Sequence, residues 1–174
     1  MPSYHKIDDD VKEVLATVLK THHLDLIEAG VRIHLLGAKA KQDSDGIPKG
    51  PALKLHGVAA LAIASILSLE DRVSGSDDCR IKIDMDRWPA LTDRKREALL
   101  HHEALHFILV RDADGNIQTD DACRPKLKMR PHDFDCGLFW EAVEHYGDDS
   151  CEAEVWKPAN KKMTQLLIPF TDIG

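Results

Sequence analysis

Residues 102–106 read His-Glu-Ala-Leu-His. On an α-helix, residues four apart stack one turn above the other, so His102 and His106 present both imidazoles to one point, as a tetrahedral metal requires. Glu103 lies beside that face, where its carboxylate can take a proton from an activated water instead of ligating the metal. The pattern reads as the HExxH of a zinc-dependent hydrolase, with His102 and His106 as ligands and Glu103 as general base. The alternative is a coincidental pair of imidazoles. A capped helix preceded by an alternating strand weighs against coincidence, because that setting turns both rings toward a groove.

A catalytic zinc commonly takes three protein ligands and leaves its fourth position to water, so a third donor is expected downstream. His132, just after Pro131 and ahead of the last helix, is the first choice; Asp135, Glu141 and His145 are substitutes. Asp133 could orient a ligand imidazole or cap the last helix. The ring of His145 and the phenol of Tyr146 sit near a helix end, where either could support the site or stabilise an oxyanion. An ordinary helix end with Gly147 beyond it fits those residues equally well. His101 points about 100° around the helix from His102 and reads as lying outside the ligand set. His22, His23, His34 and His56 have no partners at ligand spacing and read as structural or exposed. Cys123 and Cys136 flank His132, but without a CxxC they are a weak signal for a structural zinc.

The elements that must position these residues follow from periodicity. Asp8–Ala29 reads as one amphipathic helix, with acidic residues in its first turn, an apolar stripe from Val11 to Leu19, and Gly30 as its stop. Val31–Ala38 reads as a strand, and Lys39–Gly50 as a loop marked by Gly and Pro. Pro51–Leu69 mixes helix-favouring alanines with Val58, Ile63 and Ile66, and is assigned to strand followed by a short turn. In Asp78–Trp88, Ile81, Ile83 and Met85 alternate with Lys82, Asp84 and Asp86, the period of a half-exposed strand at or near a sheet edge. Thr92 caps a helix expected to run through Val110. Asp112–Asn116 is turn chemistry, the charged stretch to Pro131 reads as an irregular hairpin or loop, and a last helix is expected from Asp133 to Gly147. No internal repeat stands out, and one compact α+β domain fits this order.

Composition bounds the rest. The chain has 174 residues, enough for one ordinary domain, with 43% hydrophobic and 30% charged residues. Aromatics at 5% make the core mostly aliphatic. A net charge of -7 argues against nucleic acid as a partner, since the only basic run, Arg124–Arg130, is short. The acidic start, Met1–Asp10, does not read as a secretory signal, and Gly57–Leu69 is too short to span a bilayer, so a cytoplasmic location without membrane attachment is expected. Cys79, Cys123, Cys136 and Cys151 are expected to stay reduced there.

Taken together, Leu55–Gly57 (LHG), Ser68–Asp78 (SLEDRVSGSDD), Ile81–Thr92 (IKIDMDRWPALT), Arg96–Phe107 (REALLHHEALHF), Arg124–Phe134 (RPKLKMRPHDF) and His145–Ser150 (HYGDDS) make the chain resemble the putative phage metallopeptidase family, small zincin-like HExxH proteins of phages and prophages. The resemblance spans about Leu53–Glu152. It implies a zincin core in which a small mixed sheet packs on helices and one helix carries the HExxH. It strengthens the metal site, with Zn²⁺ as the expected cofactor; a protein or peptide substrate is inferred from the HExxH motif, and the expected location is the cytoplasm, that of the host if the chain is phage-encoded. It supports His132, because an HD pair after a basic segment is part of the family pattern, matched by His132 and Asp133. The chain departs at His101, where the pattern has Asp. The expected organisation is a zincin-like domain over 1–150 with a tail, 151–174, packed on it or extending from it. The expected function is hydrolysis of peptide bonds by a metal-activated water. The alternative is a catalytically silent zincin fold that binds or regulates a host or phage partner, with the aliphatic tail segment Leu166–Phe170 as a possible contact.

Overall fold

The computed structural model describes residues 2–132 and 139–152. In chain order they form β1 (Ser3–Lys6), α1 (Asp9–His22), α2 (Leu24–Glu28), β2 (Ile33–Lys39), β3 (Leu53–Leu55), β4 (Val58–Ala60), β5 (Ala62–Ile66), α3 (Leu69–Val73), β6 (Cys79–Asp84), α4 (Asp93–Leu105), β7 (Phe107–Leu109), β8 (Leu127–Met129) and α5 (Trp140–Tyr146), with short 3-10 turns at Trp88–Ala90 and Gly147–Asp149. The architecture is mixed α+β. The main sheet runs β1-β2-β6-β5; β2 and β6 are parallel and the outer pairings are antiparallel. Two small antiparallel sheets, β3-β4 and β7-β8, complete it. No described helix is long and apolar enough to cross a membrane.

The core forms where the apolar stripe of α1 meets one face of the sheet. Val11, Leu15 and Val18 of α1, spaced for one helical face, are buried with Ile81 and Ile83 of β6 and with Leu99 and Leu100 of α4. Alternation along β6 sends Ile81 and Ile83 to that core at 0% exposure. The core thus presses α4, which carries the HExxH, against the sheet.

Several expected boundaries move, each for a local reason. The single N-terminal helix is two helices, broken at His23, whose backbone leaves helical geometry (φ -135°, ψ 46°) while its ring is buried against α4. The stretch from Pro51 to Leu69 holds three strands. The first two make a hairpin whose central residues His56 and Gly57 both have positive φ (50° and 85°), as a two-residue type I′ turn requires. Strand β6 is interior, flanked by β2 and β5, not an edge. Alternation reports which face of a strand is wet and says nothing about its lateral neighbours. Helix α4 ends at Leu105 with His106 as its C-cap, because Phe107, Ile108 and Leu109 pair as a strand with Leu127–Met129. The charged stretch after Asn116 returns through that hairpin. The last helix is described from Trp140; Asp133, Asp135 and Cys136 lie outside the described residues, as does the tail from residue 153.

A buried ionic cluster joins two of these connections. Asp78, at 0% exposure, accepts from Arg72 Nη2 (2.9 Å), Arg124 Nε (2.8 Å) and the Arg32 backbone N–H (2.8 Å), and Arg72 also pairs with Asp120 (2.7 Å). The basic segment at Arg124 is therefore partly internal. Burial alone would raise the Asp78 pKa, but hydrogen bonds from Arg124, the Arg32 backbone and Arg72 outweigh it and hold the carboxyl below its usual range. A group whose pKa is depressed by folding stabilises the fold fully above its unfolded pKa and loses that contribution as pH falls through its folded pKa. Asp78→Asn is therefore expected to destabilise the protein by about 3–5 kcal/mol at neutral pH in urea unfolding, since it takes the carboxylate from the Arg124 guanidinium and leaves Arg72 with Asp120 alone. The gap between variant and wild type should narrow as pH drops below about 4, the ordinary carboxylate range. A gap that is constant with pH would assign the loss to packing alone.

Candidate metal centre

The HExxH half-site survives the early end of α4. His106, although it is the cap, keeps helical backbone angles (φ -68°, ψ -19°), so it still stands one turn above His102. The third imidazole is delivered by the β7-β8 hairpin. Arg130, just past β8, donates its backbone N–H to the His106 carbonyl (2.8 Å) and accepts at its own carbonyl from His106 Nδ1–H (2.8 Å). This two-bond clamp places His132, two residues on, opposite α4. The ligand nitrogens of His102, His106 and His132 lie within 4.8 Å of one another. Phe139, fully buried, packs its ring 4.9 Å from each of the three imidazoles and backs the group with an apolar wall.

The donor chemistry suits a cation. His102 Nδ1–H donates to the Glu152 carboxylate (2.5 Å) and His106 Nδ1–H to the Arg130 carbonyl, so both rings are left with Nε2 as the lone-pair nitrogen. Nε2 of His102 stands 3.3 Å from Nε2 of His132. Two nitrogens bound about 2.0–2.1 Å from a tetrahedral metal lie about 3.3 Å apart, so these residues fit such an ion.

A family model described as Putative phage metallopeptidase matches residues 3–164, most of the chain. The chain belongs to that family. No curated protein and no solved structure matches it. Family membership carries a metal and a protein substrate at the level of the family name, and the three-imidazole cluster is a group of residues that could hold a metal.

Around the cluster the charges are arranged in two layers. Glu103 is buried at 5% exposure, and burial pushes its pKa up to about 7 against the pull of the His102 charge and of the Ala64 backbone N–H. Burial would lower the His102 pKa, but the bond to Glu152 and the charges of Glu103 and Glu152 raise it. Burial, with neighbouring His102 and His132, lowers His106 to about 4. A cavity of about 410 Å³ opens at the group, lined by His102, Glu103, His106 and His132 and also by Leu61, Ala62 and Ala64.

Not every candidate converges here. His145 and Tyr146 do not line this cavity; they pack on His22 and His101, with Tyr146 5.6 Å from the His101 ring between centroids. Glu141 faces Arg130 at 3.9 Å instead of the three rings. Asp133 lies outside the described residues. His101, read as outside the ligand set, is fully buried, and His22 and His23, read as unpartnered, both reach it from α1 and its cap. Glu152 was not among the candidates. A single glutamate two residues past the expected domain boundary gives no spacing signal, and only the return of the chain over α4 brings it to His102.

Proposed function

We propose that the chain is a zinc-dependent peptidase of zincin-like design acting in the cytoplasm, with Zn²⁺ held by His102, His106 and His132. Zinc, when bound, supplies a Lewis acid that polarises a peptide carbonyl and brings the pKa of water down to about 7. Glu103 takes the proton of the attacking water on a carboxylate oxygen and gives it to the departing amine, fulfilling the base and acid roles in turn. Glu152 and the Arg130 carbonyl hold two of the ligand rings in the tautomer that presents Nε2.

The substrate suggested by the surroundings is an extended peptide. Strand β5 is an end strand of the main sheet among the described residues, pairs with β6 on one side, and lines the same cavity as the imidazoles. A segment laid along its outer side would gain backbone hydrogen bonds while presenting a carbonyl to the site. The observation that carries this reading is the convergence of the three ring nitrogens beside a buried, non-ligating carboxylate.

Zinc analysis of protein purified without added metal, alongside cleavage of a mixed-sequence peptide library, tests it. The wild type should retain zinc and cleave; His102→Ala and His132→Ala should each lose both metal and cleavage. Undiminished hydrolysis by thoroughly chelated protein, or an inert zinc-loaded wild type, would overturn the assignment.

A further inference from the structure

We propose that His22, His101 and His145 form a second transition-metal site, separate from the HExxH centre, that ties α1, α4 and α5 together. The candidate ligand nitrogens of these three residues lie within 4.8 Å of one another. The His22 ring centroid is 4.5 Å from that of His101 and 4.8 Å from that of His145. Three imidazoles on three different helices at this separation form a donor set for a borderline divalent ion such as Zn²⁺ or Co²⁺.

An independent observation singles out His101. Its ring is at 0% exposure, its Nδ1 is engaged by His23 Nε2 at 3.0 Å, and its Nε2 is buried with no hydrogen-bond partner among the described residues. A buried ring nitrogen without a partner destabilises the fold unless something completes it. With His101 Nδ1–H donating to His23, Nε2 carries a lone pair, and a cation is the partner that lone pair takes. His23 then stands to His101 as Glu152 stands to His102, fixing the tautomer through the far nitrogen.

Charges of both signs surround the cluster. Glu97 and Glu141 place negative charge within reach of His22. His22 and His145 lie in the last turns of α1 and α5, where the helix carbonyl ends favour positive charge. Arg94 opposes this, with its guanidinium 5.5 Å from the Tyr146 ring and a hydrogen bond to the His145 carbonyl (2.8 Å). Closing the donors to tetrahedral spacing needs movement by the half-buried His22 and the exposed His145, while the buried His101 stays in place. Because His101 adjoins His102 and α5 leads to Glu152, an ion here would fix the elements that hold the first site from behind.

Full-length protein stripped of metal and titrated with Co²⁺, with bound metal counted after desalting and ligand-field absorption recorded, separates the two sites. The wild type should bind two equivalents. A variant with His22→Ala and His145→Ala should bind one, as should one with His102→Ala and His106→Ala, and the fourfold variant should bind none. Both members of the first pair are at least partly exposed, so circular dichroism should show an intact fold; His145→Gln alone should already weaken the second equivalent. In the variant lacking His102 and His106, Co²⁺ should raise Tm, and this rise should vanish in the fourfold variant. Two equivalents retained after loss of His22 and His145, or a wild type that takes only one equivalent, lost with His102 and His106, would overturn the proposal. A single equivalent lost only with His22 and His145 would support it while removing the HExxH centre.

Discussion

Glu103→Gln should keep its zinc and its fold while losing about 10²–10⁴-fold in peptide hydrolysis, the usual worth of a positioned general base. The substitution is nearly isosteric. The side chain still fills the buried position that Glu103 occupies at 5% exposure. The change removes the carboxylate's charge together with its capacity to accept a proton. Because Glu103 stands outside the three-ring cluster, zinc content should match that of the wild type. The loss should fall on kcat, with KM little changed, because the group acts on water in the transition state and contributes little to holding the peptide. The comparison is made on metal-normalised protein, with Tm recorded for both. Wild-type turnover by the variant would exclude Glu103 as base and direct attention to another proton acceptor on the cavity wall.

How much of this was legible beforehand depended on whether a feature was local. The HExxH pair was legible because helical spacing alone brings His102 under His106, and the cap at Thr92 marks where that helix begins. His132 was within reach of inference as a histidine following a charged connection, yet the device that delivers it, the double bond between Arg130 and His106, depends on a β7-β8 pairing. That pairing was obscured because Phe107–Leu109 continues the apolar character of α4. The α+β class followed from periodicity, whereas the interior place of β6 did not, since both edge and interior strands can alternate. Contacts between elements distant in sequence were the least accessible. His22 and His101 are 79 positions apart, and no spacing rule connects a helix C-terminus with the middle of another helix. The Asp78 cluster has the same character: Arg72, Asp78 and Arg124 sit in motif segments that carried the family resemblance, and the structure gives those segments a structural role away from the metal ligands.

Glu152→Ala should weaken zinc binding by about 10–100-fold, the range found when the carboxylate behind a ligating histidine is removed. Glu152 is at 2% exposure and within 2.5 Å of His102 Nδ1, and it also accepts from the Phe139 backbone N–H (3.4 Å). Burial would raise its pKa, but the His102 bond and charge bring it below the ordinary value, so it faces the ring as an anion. That anion makes His102 a better electron donor and stops its ring from turning. Alanine loses the charge and the orientation together, while Glu152→Gln keeps an acceptor oxygen and loses the charge. Gln should therefore fall between wild type and Ala in a competition titration against a chromophoric chelator. Equal affinities in all three proteins would mean that His102 is oriented by packing against Phe139 alone. A large loss in Ala with full recovery in Gln would assign the effect to geometry instead of charge. The ordering wild type, Gln, Ala is expected because a buried carboxylate does both jobs at once, and it makes the chain just past residue 150 part of the metal centre.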